Sequence, residues 1–393
     1  MQGSQRRFPA RARVAAAVAT LALASVAANA QLRVGVTNLV SDDQMANAAK
    51  ITDTGLVNAW GVSYSPTSPF WVSSNGAGTA VLYSVNPATQ ATTKAGLTVT
   101  IPDAGSVTGQ VFNAAGAASF NGDNFLFVSE DGTISGWRNA IGTTAERLRT
   151  GSTANVYKGA AFATLSGTGY LYAANFKAGT IDVVKGQANA PDLIGKFTDP
   201  NLPSGYAPFN IQNLGGTMYV TYALQNATQD EELAGAGRGF VSAFDLQGNL
   251  IGRVASAGTL DAPWGLAFAP SSFGALAGSL LVGNFGDGRV NVFNASSHAF
   301  LGQLAASDGT PLSIDGLWAL TSGNDGSAGS SSLIYFSAGP GDESHGVFGV
   351  LTPEAIAAVP EPSTALLLLS GLVGIGFLVG RRGTIGKRGA VKR

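Results

Sequence analysis

Apolar residues along most of this chain come in short runs, cut by Gly, Asn, Asp and Ser. Where the alternation is clean, as at Ile181 and Val183 or Val290 and Val292, the period is two, as a half-buried strand requires. Two stretches break the pattern. Val14 to Val26 and Ala365 to Val379 are near-continuous apolar runs, one towards each end. The pattern predicts many short strands between two apolar, non-strand segments.

The strands repeat. From about Arg33 to Pro353 a unit returns roughly every fifty residues, near the period of propeller blades. Each unit opens on a small, Gly-containing apolar segment: Asn58 to Val62, Phe112 to Ala117, Tyr157 to Phe162, Ala207 to Gln212, Ala262 to Leu266 and Asp315 to Leu320. A second apolar strand follows, near Phe70, Phe125, Tyr170, Thr217, Leu280 and Leu333. A polar Gly turn leads to a third, beginning near Gly78, Gly132, Gly179, Gly239, Gly288 and His345. Some units add a fourth, such as Leu250 to Val254. One antiparallel unit cannot bury both its faces, but six arranged radially can, and closure leaves only short edges. The predicted fold is therefore all-β, a six-bladed β-propeller. Crowding near its axis accounts for Gly and Ala in the opening segments.

The ends read as addresses. Arg6, Arg7, Arg11 and Arg13 precede the first apolar run, which closes on Ala28-Asn29-Ala30. This is the order of a signal peptide, with signal peptidase cutting after Ala30. The run is shorter than the ~20 residues a spanning helix needs. At the other end, Val359-Pro360-Glu361-Pro362 precedes the second run, and Arg381, Arg382, Lys387, Arg388, Lys392 and Arg393 follow it. A short membrane helix over about 364–380 with its basic tail held in the cytoplasm fits this order. The segment resembles the PEP-CTERM sorting signal of Gram-negative bacteria. That resemblance implies an exosortase as partner, transient anchoring in the cytoplasmic membrane, cleavage near the motif, and delivery to the cell surface or an exopolysaccharide matrix. The expected divisions are a signal peptide over 1–30, a propeller over 31–357 and a sorting signal over 358–393.

Asn38 to Asp42, Leu56 to Gly61, Ala174 to Val183, Leu281 to Gly288 and Ala338 to Gly349 resemble a bacterial family of NHL-like six-bladed propellers often found with PEP-CTERM signals. The resemblance implies a fold; it brings no catalytic residues.

Composition narrows the chemistry. A net charge of −1 gives no electrostatic footprint for nucleic acid. The absence of Cys removes disulfides, thiolate metal sites and a thiol nucleophile. No Ser stands in a nucleophile-elbow motif, and His298 and His345 are the only histidines. His345 lies in Asp342-Glu343-Ser344-His345, so Asp342, Glu343 and His345 form a weak metal candidate inside what reads first as a polar turn. Asp230-Glu231-Glu232 lies in a long blade-four insertion and reads as a solvated acidic tip.

The channel rim is the expected ligand site. One set of rim residues opens the inner strands: Asn58, Trp60, Asn113, Asn210, Trp264, Asp315 and Trp318. A second set occupies the turns after the second strands: Asn75, Glu130, Asn175, Asn284 and Asp287. Amides and carboxylates bond hydroxyls and indoles stack on sugar rings, so the set suits a polysaccharide. The competing reading of the tryptophans is a seal between blades. The first functional expectation is a non-enzymatic binding or scaffold propeller near extracellular polysaccharide, without cofactor. The alternative is a lactonase-like or lyase-like enzyme using Ca²⁺ or another divalent metal at the channel mouth, with Glu130, Asn175, Asn284 and Asp315 converging.

Overall fold

The computed structural model describes residues 32–354. Ala28 and Ala30 of the expected cleavage site, the motif from Val359 to Pro362 and the expected helix at about 364–380 lie outside the described residues. Among the described residues, no helix is long and apolar enough to cross a membrane.

The described chain is a six-bladed β-propeller. Its inner strands are Ala59–Ser63, Val107–Phe112, Tyr157–Leu165, Tyr206–Leu214, Pro263–Phe268 and Leu317–Ser322, for blades 1 to 6. Blades 1, 2, 4 and 5 each run outward through four antiparallel strands taken consecutively from the chain. Blade 6 is assembled differently. Leu317–Ser322, Ile334–Ala338 and Val347–Pro353 are followed outward by Arg33–Ser41, from the other end of the described chain. Val34, Leu39 and Val40 of that strand are fully buried. The two ends of the propeller are thus locked in one sheet, which closes the ring. Blade 3 has three strands, Tyr157–Leu165, Thr168–Asn175 and Thr180–Lys185.

The crowding expected from the opening segments is present. A Cβ on Gly61 would lie 2.5 Å from the Thr108 carbonyl oxygen, and one on Gly265 would lie 2.7 Å from that of Trp318. Neighbouring inner strands approach too closely for a side chain.

Blade 2 corrects one expectation. Its inner strand is Val107–Phe112, so Phe112 ends the strand instead of opening it. Asn113 lies past that end. Its Nδ2 donates to the Ser119 and Asp123 carbonyls at 3.2 and 2.7 Å and fixes a local turn. Polar Thr108 and Gln110 disguised the strand. Both are buried because they stitch blades together. Thr108 bonds the Tyr157 carbonyl of blade 3 at 2.7 Å, and Gln110 Nε2 donates to the Gly61 carbonyl of blade 1 at 2.8 Å.

Candidate functional site: two mouths of one channel

An aromatic plug divides the channel. Trp60, Phe176, Phe209, Trp264, Phe285 and Trp318 form one cluster from five blades, which meet at the axis. Trp60 stacks on Trp318 at 3.7 Å between centroids and an angle of 17°. Phe285 also stacks on Trp318, at 4.0 Å, and Trp264 meets it edge-on at 6.0 Å. The three indoles are 0–4% exposed. All three are packed within the plug, where the indoles fill the space between blades. Trp318 Nε1 donates to Asn58 Oδ1 at 3.0 Å and Trp264 Nε1 to the Lys158 carbonyl at 2.9 Å, while Trp60 Nε1 is buried with no hydrogen-bond partner among the described residues.

At the mouth where the inner strands begin, Lys158 is completely buried. It stands second in the blade-3 inner strand, one residue before Gly159, whose missing Cβ leaves room for Asn210. Its ammonium donates to Glu130 Oε1 of blade 2 at 2.6 Å and to Glu231 Oε2 of the blade-4 insertion at 2.7 Å. It also lies 5.2 Å from the centroid of Trp60, within cation–π range. Asn75 Nδ2 donates to Glu130 Oε2 at 3.0 Å, and Asn58 Nδ2 to Glu343 Oε2 at 2.5 Å. Glu232 belongs to the same electrostatic group, and its Oε2 is buried without a hydrogen-bond partner.

Burial opposes the charge on Lys158, but Glu130, Glu232 and Glu231 outweigh it and hold the ammonium protonated. Burial, reinforced by Glu232 and partly offset by Lys158, pushes the Glu343 carboxyl up to about 7. Burial also raises Glu231 and Glu232. This mouth thus gathers four carboxyl groups around one fixed cation.

The expected rim residues separate into groups. Asn58, Asn75 and Glu130 meet at the charged mouth. Asn175 turns its amide to Asn155 and Asp182, and Asn284 to the Thr259 carbonyl and Asp287, so both fix turns. Asn210 Nδ2 donates to the Trp264 carbonyl at 2.8 Å, joining blades 4 and 5. Asp315 accepts from the Gly341 N–H at 2.9 Å. Asp342, Glu343 and His345 part company: Asp342 is exposed, Glu343 faces Asn58, and His345 Nδ1 lies 2.9 Å from Asp42 Oδ2. Among the described residues, no three His, Asp or Glu side chains are placed to hold one metal ion.

The acidic run of the insertion is not a free tip. Backbone bonds between Asn226 and Glu231 and between Leu233 and Leu224 fold it back, and Glu231 reaches Lys158. Lys158 was the residue missed from the sequence. Its one signal was a lysine inside an otherwise small and apolar inner strand.

The opposite mouth is neutral. Beyond the plug, the later parts of five inner strands enclose a cavity of about 250 Å³. Tyr64, Phe112, Phe162, Gln110, Gln212 and Asn213 line it, with Trp264 among its walls and no charged side chain.

The chain is 30% identical to Uncharacterized protein R648 of Acanthamoeba polyphaga mimivirus over 293 residues, 69% of this chain and 70% of that protein. The chain belongs to the family of protein R648. It is also 34% identical to Uncharacterized protein L690 of the same virus over 211 residues, 51% of this chain and about half (53%) of that relative. Residues 358–382 match the PEP-CTERM protein-sorting motif. That motif marks the chain for export and for processing by an exosortase. Among solved structures, the chain is similar to a streptogramin B lyase, with 12% identity, a TM-score of 0.46, and coverage of 82% of this chain and 98% of that one. It is similar also to an auxiliary nutrient binding protein from Bacteroides ovatus, with 12% identity, a TM-score of 0.49, and coverage of 83% and 78%.

Proposed function

We propose that this family member is an exported, non-enzymatic propeller that works at the cell surface or in the extracellular matrix and binds neutral polysaccharide at its neutral mouth. The observation that carries this reading is the cavity of about 250 Å³ lined by amides, hydroxyls and aromatic rings without a charged side chain. Amides pair with sugar hydroxyls, and aromatic edges shield the ring from water. Gln212 makes no side-chain hydrogen bond among the described residues, so its amide is free to meet a hydroxyl.

The test is calorimetry of the mature protein against exopolysaccharide from its own host. Gln212→Ala should weaken binding about five- to tenfold, the loss of one hydrogen bond, with an unchanged melt. Wild type that gives no heat with the polysaccharide, or an unaffected Gln212→Ala, sinks the reading. The alternative, a lactonase-like or lyase-like enzyme using Ca²⁺ or another divalent metal, would need Glu130, Asn175, Asn284 and Asp315 to converge at one mouth, whereas Asn175 and Asn284 fix turns and Asp315 accepts from the Gly341 N–H. A rise in melting temperature on adding Ca²⁺ or Mn²⁺, abolished by Glu130→Gln, would favour that alternative.

A further inference from the structure

Among the described residues, blade 3 has no fourth strand, whereas the other five blades carry one. The missing place is open. A groove of about 650 Å³ runs between the outer strand, Thr180–Lys185, and the segment Asp192–Thr198, and Ile181, Val183, Leu193 and Phe197 give it an apolar lining. Arg149 and Lys196 stand on the same walls, with Asp182 and Asp192.

The direction of the free backbone groups follows from the register. Gly186 N–H donates to the Gly169 carbonyl at 2.9 Å, and Lys185 is opposite Tyr170 in the ladder. Antiparallel pairs alternate between bonded and non-bonded. Thr180, Asp182 and Val184 therefore bond the neighbouring strand, while Ile181, Val183 and Lys185 turn their N–H and C=O groups outward. Those outward groups have no backbone partner among the described residues.

Blade 6 shows how this fold fills such a place. Its outermost strand comes from a remote part of the chain. We propose that the groove of blade 3 receives an extended strand from a second copy: the stub Ala355 to Val359, which follows the last described strand and remains once the sorting signal is cut near Pro360-Glu361-Pro362. The run Ala-Ile-Ala-Ala-Val is apolar, like the Ile181, Val183, Leu193 and Phe197 lining of the groove. Addition of a strand to a free edge supplies main-chain hydrogen bonds and side-chain pockets together.

The stub cannot serve its own molecule. Strands ~4.8 Å apart put the outer edges of opposite blades more than ~30 Å from each other. Seven residues reach ~25 Å at most. Each copy offers one stub and one groove at different places, so the contact is head-to-tail and builds open chains. This inference rests on processing near the motif and not on the polysaccharide reading.

The test uses mature protein processed in an exosortase-bearing host, followed by light scattering across a concentration series. Two variants accompany it: Val183→Pro, which removes one outward N–H and spares the inner ladder, and a chain ending at Glu354. A labelled peptide of residues 354–361 serves as probe. Wild-type mass should rise with concentration, while both variants stay monomeric with unchanged melts. The peptide should bind the truncated chain, at least tenfold more tightly than it binds a truncated Val183→Pro chain. A truncated chain that still assembles overturns the proposal; if Val183→Pro stops that assembly, two blade-3 edges pair directly. Failure of the peptide to bind overturns it as well.

Discussion

The two mouths of the channel are built from the same six inner strands, yet they differ in kind. Where the strands begin, Lys158 holds Glu130 and Glu231, with Glu232 and Glu343 beside them. Where the strands end, the cavity has no charged side chain. The aromatic plug lies between, so each mouth has its own electrostatics. A propeller can therefore hold a charged cluster on one face and a neutral cavity on the other without one disturbing the other. The charged mouth depends on loops, since the blade-4 insertion and the turn before Val347 supply three of its carboxylates. The neutral mouth depends on the inner strands themselves.

The strongest way to break this division is to remove the plug. Trp318 is completely buried between Trp60 and Phe285. Trp318→Ala should cost ~3–5 kcal/mol, as large aromatic truncations do, read by urea denaturation. A loss under ~1 kcal/mol would mean that the indoles do not hold the ring together.

Lys158→Met tests the charged mouth alone. It leaves partly buried carboxylates without their cation, which should cost about 3 kcal/mol at pH 8. The loss should shrink at pH 5, because Glu343, pushed up to about 7, is protonated there. The polysaccharide binding proposed for the neutral mouth should not change. Equal destabilisation at both pH values would break the link between the lysine and the carboxylates.

Gly265→Val tests the frame common to both. Its Cβ would press on the Trp318 carbonyl at 2.7 Å, an overpacking expected to cost ~1–3 kcal/mol. An unchanged melting temperature would place Gly265 in open space.

The smaller effects are in pH dependence. The Glu343 carboxyl rises from 4.5 to about 7 on folding. The unfolded chain therefore releases that proton first, and stability falls as pH rises from ~4.5 to ~7. Glu343→Gln should flatten that window and gain on wild type above pH 7. Parallel stability curves for the two proteins would count against a buried, raised carboxyl.

His345 has the opposite sign. Its hydrogen bond to Asp42 raises the imidazolium above 6.5. The stabilisation is complete below that value and disappears as pH rises through the folded pKa. His345→Asn should remove this slope, with the smallest change of the series. Melts between pH 5.5 and 8.5 that keep the same slope without the imidazole would reject it.

Much of the fold was legible because strands write themselves as period-two runs and Gly turns. Blade 5 was readable from Ala262 to Phe293 for this reason. Blade 2 was misplaced because Thr108 and Gln110 look like loop residues until their bonding partners in other blades are known. Of the site, Asn58, Asn75 and Glu130 could be assigned to the rim from their positions before an inner strand or after a second strand, and the structure brings the three to one mouth. Lys158 was not, because a buried ammonium makes sense only with its carboxylates, and Glu231 reaches it from 73 residues along the chain.

By itself, the sequence determined the blade count, the crowded glycines and the basic-ended sorting signal. Each is encoded locally, in the spacing of apolar residues or in one contiguous segment. Tertiary structure alone decided that Arg33–Ser41 completes blade 6, that blade 3 keeps an open edge, and that the tryptophans face inward. It also decided which carboxylates share Lys158. Those features depend on which residues meet after ring closure, and no local period along the chain records such meetings.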